Sequence, residues 1–223
     1  MTESPLVARV LFHLGPVPIT EPVVTTWALI AGLATVCFAL TRGLQLHPPR
    51  WQAMLEILVT TVEDQISETM QTAGRPFVPL LGTLFIFLAF ANVLAVVPGV
   101  RPPTASLETA AALALIVFLA VHVYGLRRRG LGAYLGSYAR PTMVMLPLNV
   151  LSEITRTFSL MVRLFGNVLS GEFVIATVLA LAGLFVPIPL MALEILIGLI
   201  QAYIFTVLAA VFIGAGIGSI ERG

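Results

Sequence analysis

The sequence has 223 residues, of which 58% are apolar and only 10% are charged, and its mean hydropathy is +1.01. Soluble domains carry about 25% charged residues, so this composition excludes a water-soluble fold and predicts an integral membrane protein. The formal net charge is +1, which gives no reason to expect nucleic acid as a partner.

Five apolar segments are long enough to cross a bilayer, because a spanning helix needs about 20 apolar residues. Between the first two, residues 51–70 place apolar side chains at helical spacing with acids on the other faces, which predicts an amphipathic helix at the membrane interface. The predicted fold class is therefore an all-α integral membrane protein that forms a single membrane domain over residues 1–223. The predicted spans are residues 22–41, 77–97, 108–126, 145–185 and 189–219.

The distribution of arginine between the spans predicts their orientation. The two connections on one side hold Arg42, Arg50, Arg75, Arg127, Arg128, Arg129 and Arg140, whereas the other side holds Arg9 and Arg101. Short cytoplasmic loops are enriched in basic residues. The pattern predicts that the N-terminus is outside and the C-terminus is in the cytoplasm.

Ionisable side chains interrupt the last two apolar segments at Glu153, Arg156, Arg163, Glu172 and Glu194. Each costs about 2.5–3.5 kcal/mol on insertion scales, so such residues are rarely accidental. Together they predict a water-accessible path, or a partner within the bilayer. For Arg156 the alternative is an ion pair with Glu153 or contact with the membrane interface.

Arg163 shares one helix face with Arg156 and Ser170, each seven positions away, and Asn167 lies near that face. Glu172 points to the opposite side. An arginine stays charged even when partly desolvated, and a fixed positive charge favours the ionised form of a nearby carboxylate and repels cations. Arg163 is therefore a candidate electrostatic gate.

The last segment carries a polar stripe formed by Glu194, Gly198 and Gln201 on an otherwise apolar helix. The alternative for Gln201, as for Asn167 in the preceding segment, is an interhelical hydrogen bond. The alternative for Arg163 is a buried salt bridge with Glu194 or with the acid at position 172.

The run SLMVRLFGNVLSGE, residues 159–172, resembles the signature of subunit a of F-type ATP synthases, whose essential membrane arginine lies in an RLFGN motif. The similarity extends to LEILIGLIQAYIFTVL (193–208) and FANVLAVVPGVRPPTASLETAAALAL (90–115), and it covers essentially the whole chain, more weakly at the N-terminus. It implies that the last two helices form a tilted hairpin against a rotating c-ring.

The resemblance also implies roles for these residues. Arg163 would face the ion-binding carboxylate of the c-ring with Asn167 and Gln201 beside it, and Glu172 and Glu194 would line two aqueous half-channels. The implied partners are the c-ring, b-type peripheral stalk subunits, the catalytic head through that stalk, and membrane lipid. The chain would be a stator subunit of the bacterial inner membrane, non-catalytic by itself and without a metal or cofactor.

Two positions depart from the family pattern. Many members have Glu where this chain has Asn149, and many have Asp or Asn where it has Ser106. Asn149, Glu153, Arg156 and Ser170 are further candidates for the channel lining, and the coupling ion, H⁺ or Na⁺, is left open. The rivals are a self-contained secondary transporter, for which no internal repeat is visible, and a non-transporting scaffold. No GxxxxGK[ST] run is present, so ATP chemistry must belong to another chain.

Overall fold

The computed structural model describes residues 10–14, 17–42, 49–95, 102–138, 145–183 and 185–218. This part of the chain forms two short strands and seven α-helices, with one 3₁₀ turn at Pro103–Ala105. In chain order the elements are β1 Val10–Leu14, β2 Val17–Thr20, α1 Glu21–Thr41, α2 Arg50–Met70, α3 Val78–Leu94, α4 Leu107–Arg129, α5 Leu131–Tyr138, α6 Met145–Ala182 and α7 Pro187–Ile217.

The predicted fold class, an all-α multi-pass membrane protein, is confirmed. Among the described residues, α1, α4, α6 and α7 are long and apolar enough to cross a membrane, and α3 is a shorter apolar helix of 17 residues. The exception to the helical pattern is the antiparallel hairpin of β1 and β2, which the sequence did not predict. The single-domain organisation and the exact limits of the membrane spans stay predictions.

The core forms around α7, which packs against α2, α3, α4 and α6. Its buried face is rich in small residues, including Gly198, Ala202 and Ala209, together with Phe205 and Ile213. Small residues let helix backbones approach closely, which is how membrane helices gain packing energy where lipid removes the hydrophobic drive. The positions of the side chains on this buried face are therefore set by several neighbouring helices.

The amphipathic helix α2 buries Ile66 and Met70 in this core, while Glu56, Asp64 and Glu68 remain exposed. Glu63 is half-buried, so three of the four acids lie away from the buried face. The placement of α2 at a membrane interface stays a prediction.

The helix α6 is long for a membrane span. Its 38 residues measure about 57 Å at 1.5 Å per residue, whereas the hydrocarbon core is about 30 Å thick. A helix of this length stays within the bilayer only if its axis is steeply inclined. It buries Leu160, Leu164 and Val168, which recur every four residues, and leaves much of its remaining surface exposed.

Ser106, one of the two departures from the family pattern, is the N-cap of α4. Its hydroxyl oxygen accepts from the Thr109 N–H at 3.3 Å and donates to the Pro103 carbonyl at 2.9 Å. An N-cap satisfies one of the unpaired amide groups at a helix start. The residue therefore has a structural role that its place in the sequence motif did not reveal.

Candidate functional site

Arg163 lies at the middle of α6 with its side chain exposed. Within the described residues it forms no hydrogen bond and no ion pair, so the salt bridge to Glu172 or Glu194 is not made there. Exposed apolar side chains surround it on the same helix, including Phe158 and Val162. A permanent charge is thus presented on the apolar outer surface of a membrane helix.

Two contacts define how α6 and α7 lie side by side. Near one end the Glu194 carboxylate of α7 lies directly against Gly171 of α6, where a Cβ atom would overlap it. Near the other end the Arg156 guanidinium of α6 lies 5.6 Å from the centre of the Phe212 ring of α7. The helices are antiparallel, and these contacts place Arg163 at the level of about position 203 on α7.

Glu194 sits in a confined position. Its side chain is half-buried, and its Oε2 atom is fully enclosed and has no hydrogen-bond partner within the described part of the chain. The Glu172 carboxylate is close enough to repel it electrostatically. A buried carboxylate oxygen without a partner is costly, so this site favours a proton, a cation or water at the oxygen.

A buried polar cluster lies next to this acid. The sequence singled out only its Gly198, as part of the polar stripe on α7. The Asn92 amide on α3 donates to the carbonyl of Gly198 at 2.8 Å, and the Thr104 hydroxyl donates to the Asn92 Oδ1 atom at 3.2 Å. Asn92 is 2% exposed and Thr104 is 0% exposed. A Cβ at Gly198 would lie 2.7 Å from the Asn92 Cβ, so glycine is needed for this approach.

Gln201 is buried, one turn beyond this cluster on α7. Its Nε2 atom has no hydrogen-bond partner among the described residues, although such buried donors are normally satisfied. Asn167 of α6 is half-buried. The register of α6 and α7 brings Asn167, Gln201 and Arg163 to similar heights along the helix pair. They do not share one surface, since Arg163 is exposed and Gln201 is enclosed.

The remaining candidates for the lining lie on α6. Ser170 donates its hydroxyl to the Asn167 carbonyl at 2.9 Å, which is a bond within the helix. Glu153 and Asn149 are half-buried towards the start of α6. Glu153 and Arg156 border a small gap between α4, α6 and α7. Polar groups therefore occur at both ends of the α6–α7 pair, with Arg163 between them.

An apolar cavity of about 190 Å³ lies between α2, α3 and α7, away from these acids. Three threonines line it, Thr61, Thr69 and Thr206, and each hydroxyl donates to a carbonyl of its own helix. Such a lining fits an ion path poorly, because it offers an ion few polar partners.

The sequence profile of the ATP synthase A chain family matches residues 23–214. Among curated proteins, the chain is 64% identical over 223 residues to ATP synthase subunit a 2 of Bradyrhizobium sp. strain BTAi1, covering 100% of both chains. It is 46% identical to ATP synthase subunit a 1 of Hahella chejuensis, over 92% of this chain and 87% of that protein. The identity to ATP synthase subunit a of Albidiferax ferrireducens is also 46%, over 92% of this chain and 90% of the relative.

Proposed function

Because the chain belongs to the ATP synthase A chain family, and is therefore a component of the ATP synthase complex, we propose that it is the stator subunit that carries the coupling ion. It provides two aqueous half-channels, and Arg163 acts as the electrostatic gate between them. Ion flow through this path turns the c-ring. The coupling ion is H⁺ or Na⁺.

The observation that carries this proposal is Arg163 at the centre of α6, exposed and without an ion pair among the described residues. A charge on an apolar membrane surface is unfavourable by a few kcal/mol unless a partner compensates for it. Within the described chain no acid does so. A carboxylate on another subunit of the same complex is the complementary group, and a c-ring that presents its carboxylates in turn would meet Arg163 repeatedly.

The polar groups on either side of Arg163 support two separate access routes. One end of the α6–α7 pair carries Glu172 and Glu194, with the enclosed Gln201 leading towards the level of the gate. The other end carries Glu153 and Arg156, whose guanidinium packs against α7. An ion that enters from one end reaches the other only by riding on the ring, because Arg163 repels cations. Each elementary charge that crosses the membrane down the potential releases about 2.3 kcal/mol of free energy per 100 mV.

In this proposal the chain performs no ATP chemistry of its own. The catalytic head hydrolyses or makes ATP, and b-type peripheral stalk subunits hold this chain still against it. The chain lies in the bacterial inner membrane with its N-terminus outside and its C-terminus in the cytoplasm, as the arginine-rich connections favour.

The test is ATP-driven ion pumping by the whole complex in inverted membrane vesicles. Arg163→Ala is expected to abolish pumping while the complex still assembles. The matched control is Val162→Ala, the adjacent exposed position on α6, which is expected to pump like the wild type. Pumping at the wild-type rate in Arg163→Ala would contradict the gate, and ion transport by this chain without other subunits would favour a self-contained transporter.

A further inference from the structure

The C-terminal end of α7 is held by a side chain from α4. The Arg129 Nε–H donates to the carbonyl oxygen of Ile217 at 3.0 Å. The helix ends there, since Gly218 adopts a φ of +76° and its N–H donates back to the Ala215 carbonyl at 3.2 Å. The last carbonyls of a helix lack partners within it and carry partial negative charge. A guanidinium at this point satisfies one carbonyl and complements the helix dipole.

The Arg129 guanidinium lies directly against Gly218, and a Cβ at that position would overlap it. Glycine is therefore required there for space as well as for the positive φ. Nearby, a Cβ at Gly216 would lie 2.9 Å from Val121 Cγ1, and one at Gly125 would lie 3.2 Å from the Gly216 carbonyl oxygen. These close contacts set the separation of α4 and α7, whereas the hydrogen bond of Arg129 sets their relative position along the helix axes.

The same end of α7 also contacts the helix that carries the proposed gate. Phe212 precedes Ile217 by little more than one turn, and its ring packs against Arg156 of α6. Arg156 lies two turns from Arg163 on the same face of α6. A shift of α7 along its axis would move Phe212 relative to Arg156, and it would also change the level of Glu194.

We propose that Arg129 is a positioning residue for ion transfer. By capping α7 it fixes the axial position of that helix, and thereby the level of Glu194 and Gln201 relative to Arg163. This inference rests on the proposed function, because it assigns Arg129 a consequence for transport. The hydrogen bond by which Arg129 caps α7 does not depend on whether the protein carries an ion, or on which ion it carries.

Arg128 provides a matched control. It precedes Arg129 in the same turn of α4 and carries the same charge, but it is exposed and makes no hydrogen bond within the described residues. Arg128→Met therefore removes a charge from the same end of α4 without touching α7. Arg129→Met removes the cap, and Arg129→Lys keeps a cation that can still donate a hydrogen bond to the carbonyl at the end of α7.

The first measurement is backbone hydrogen exchange in the last turn of α7, in the assembled complex. Arg129→Met is expected to accelerate exchange on the order of tenfold, because a hydrogen bond from a charged donor is lost. Arg129→Lys is expected to restore part of the protection, and Arg128→Met to leave it unchanged. Equal exchange rates in Arg129→Met and the wild type would contradict the proposal that Arg129 caps α7.

The second measurement is ATP-driven pumping divided by the amount of assembled complex. Arg129→Met is expected to lower this rate several-fold, with at least half of the loss recovered in Arg129→Lys and none seen in Arg128→Met. A purely structural role would reduce the amount of complex and leave the rate per complex at the wild-type value, which would overturn the positioning role. A loss that Lys does not relieve would overturn it as well.

Gly218→Ala is a second route to the same displacement, because the new methyl group would push the guanidinium away. The double variant with Arg129→Met is expected to show less than the sum of the two single effects, since both disrupt one contact. Full additivity would contradict the account. Arg163→Ala, measured in parallel, separates the two claims. If it pumps normally, the proposed function fails, whereas normal pumping per complex in Arg129→Met alone refutes only the positioning role.

Discussion

Replacing Gly171 with alanine is expected to displace the Glu194 carboxylate and slow ion transport. A Cβ at position 171 would lie 2.5 Å from Glu194 Cδ, whereas carbon atoms in contact are about 3.5–4.0 Å apart. The carboxylate must therefore withdraw from α6 by at least about 1 Å. Alanine stabilises a helix by about 1 kcal/mol relative to glycine, and overpacking costs about 1–3 kcal/mol, so the chain still folds.

The consequence should appear in transport rather than in assembly. Misplacing a functional group by about 1 Å can slow a step about a hundredfold, so pumping per complex in Gly171→Ala is expected to fall at least about tenfold. Pumping is measured in inverted vesicles, with the amount of complex determined separately. The matched control is Gly32→Ala on α1, a mid-helix glycine with open space around it, which should be neutral.

A compensating change sharpens the test. Glu194→Asp shortens the side chain by one methylene group, which makes room for the methyl group at position 171. The double variant is expected to pump faster than Gly171→Ala alone. Wild-type pumping in Gly171→Ala, or a double variant that is slower than either single one, would show that the contact with Gly171 does not position the carboxylate.

Three further changes have expected outcomes. Asn92→Leu leaves the buried Thr104 hydroxyl without its acceptor, at about 1–3 kcal/mol, and removes the bond from α3 to the Gly198 carbonyl. It should therefore lower the thermal unfolding midpoint of the complex, and an unchanged midpoint would contradict the buried cluster. Ser106→Ala removes the N-cap and should cost about 1 kcal/mol in the same assay with pumping per complex unchanged, whereas a selective loss of pumping would make Ser106 a channel residue. Arg156→Met removes a contact with Phe212 worth about 0.5–2 kcal/mol, and should lower the thermal unfolding midpoint. In a complex that already carries Phe212→Leu, the same substitution should leave the midpoint unchanged.

The sequence predicted the helical membrane fold because that fold depends on local patterns, whereas for Arg163 it left a buried salt bridge open as an alternative. Apolar segment length identified the membrane helices, and 100° per residue set Arg163 and Glu172 on opposite sides of α6. The amphipathic pattern of residues 51–70 likewise predicted α2, although its bounds differ by one residue. These are properties of single helices, so they require no knowledge of how the helices pack.

The contacts between helices could not be predicted in this way. Asn92 and Gly198 are 106 positions apart, and only the packing of α3 against α7 makes one donate to the other. The space that Gly171 leaves for Glu194 likewise depends on the register of α6 and α7. An amide side chain in the otherwise apolar second half of α3 was the available signal for Asn92, but that signal alone does not identify the partner. The β1–β2 hairpin was missed because its segment has no clear strand alternation.

Ion flux through the complex when rotation is prevented tests the gating role of Arg163. In a Cys37→Ser background, Ser159→Cys, exposed one turn from Arg163 on α6, is cross-linked to a cysteine on the facing c-subunit. Flux under an imposed membrane potential is then measured with and without Arg163→Ala. The cross-link is expected to stop flux when Arg163 is present. Arg163→Ala is expected to conduct ions despite the cross-link, because the proposed barrier between the half-channels is gone. If the cross-linked Arg163→Ala complex shows no more ion flux than the cross-linked wild type, Arg163 is not the gate.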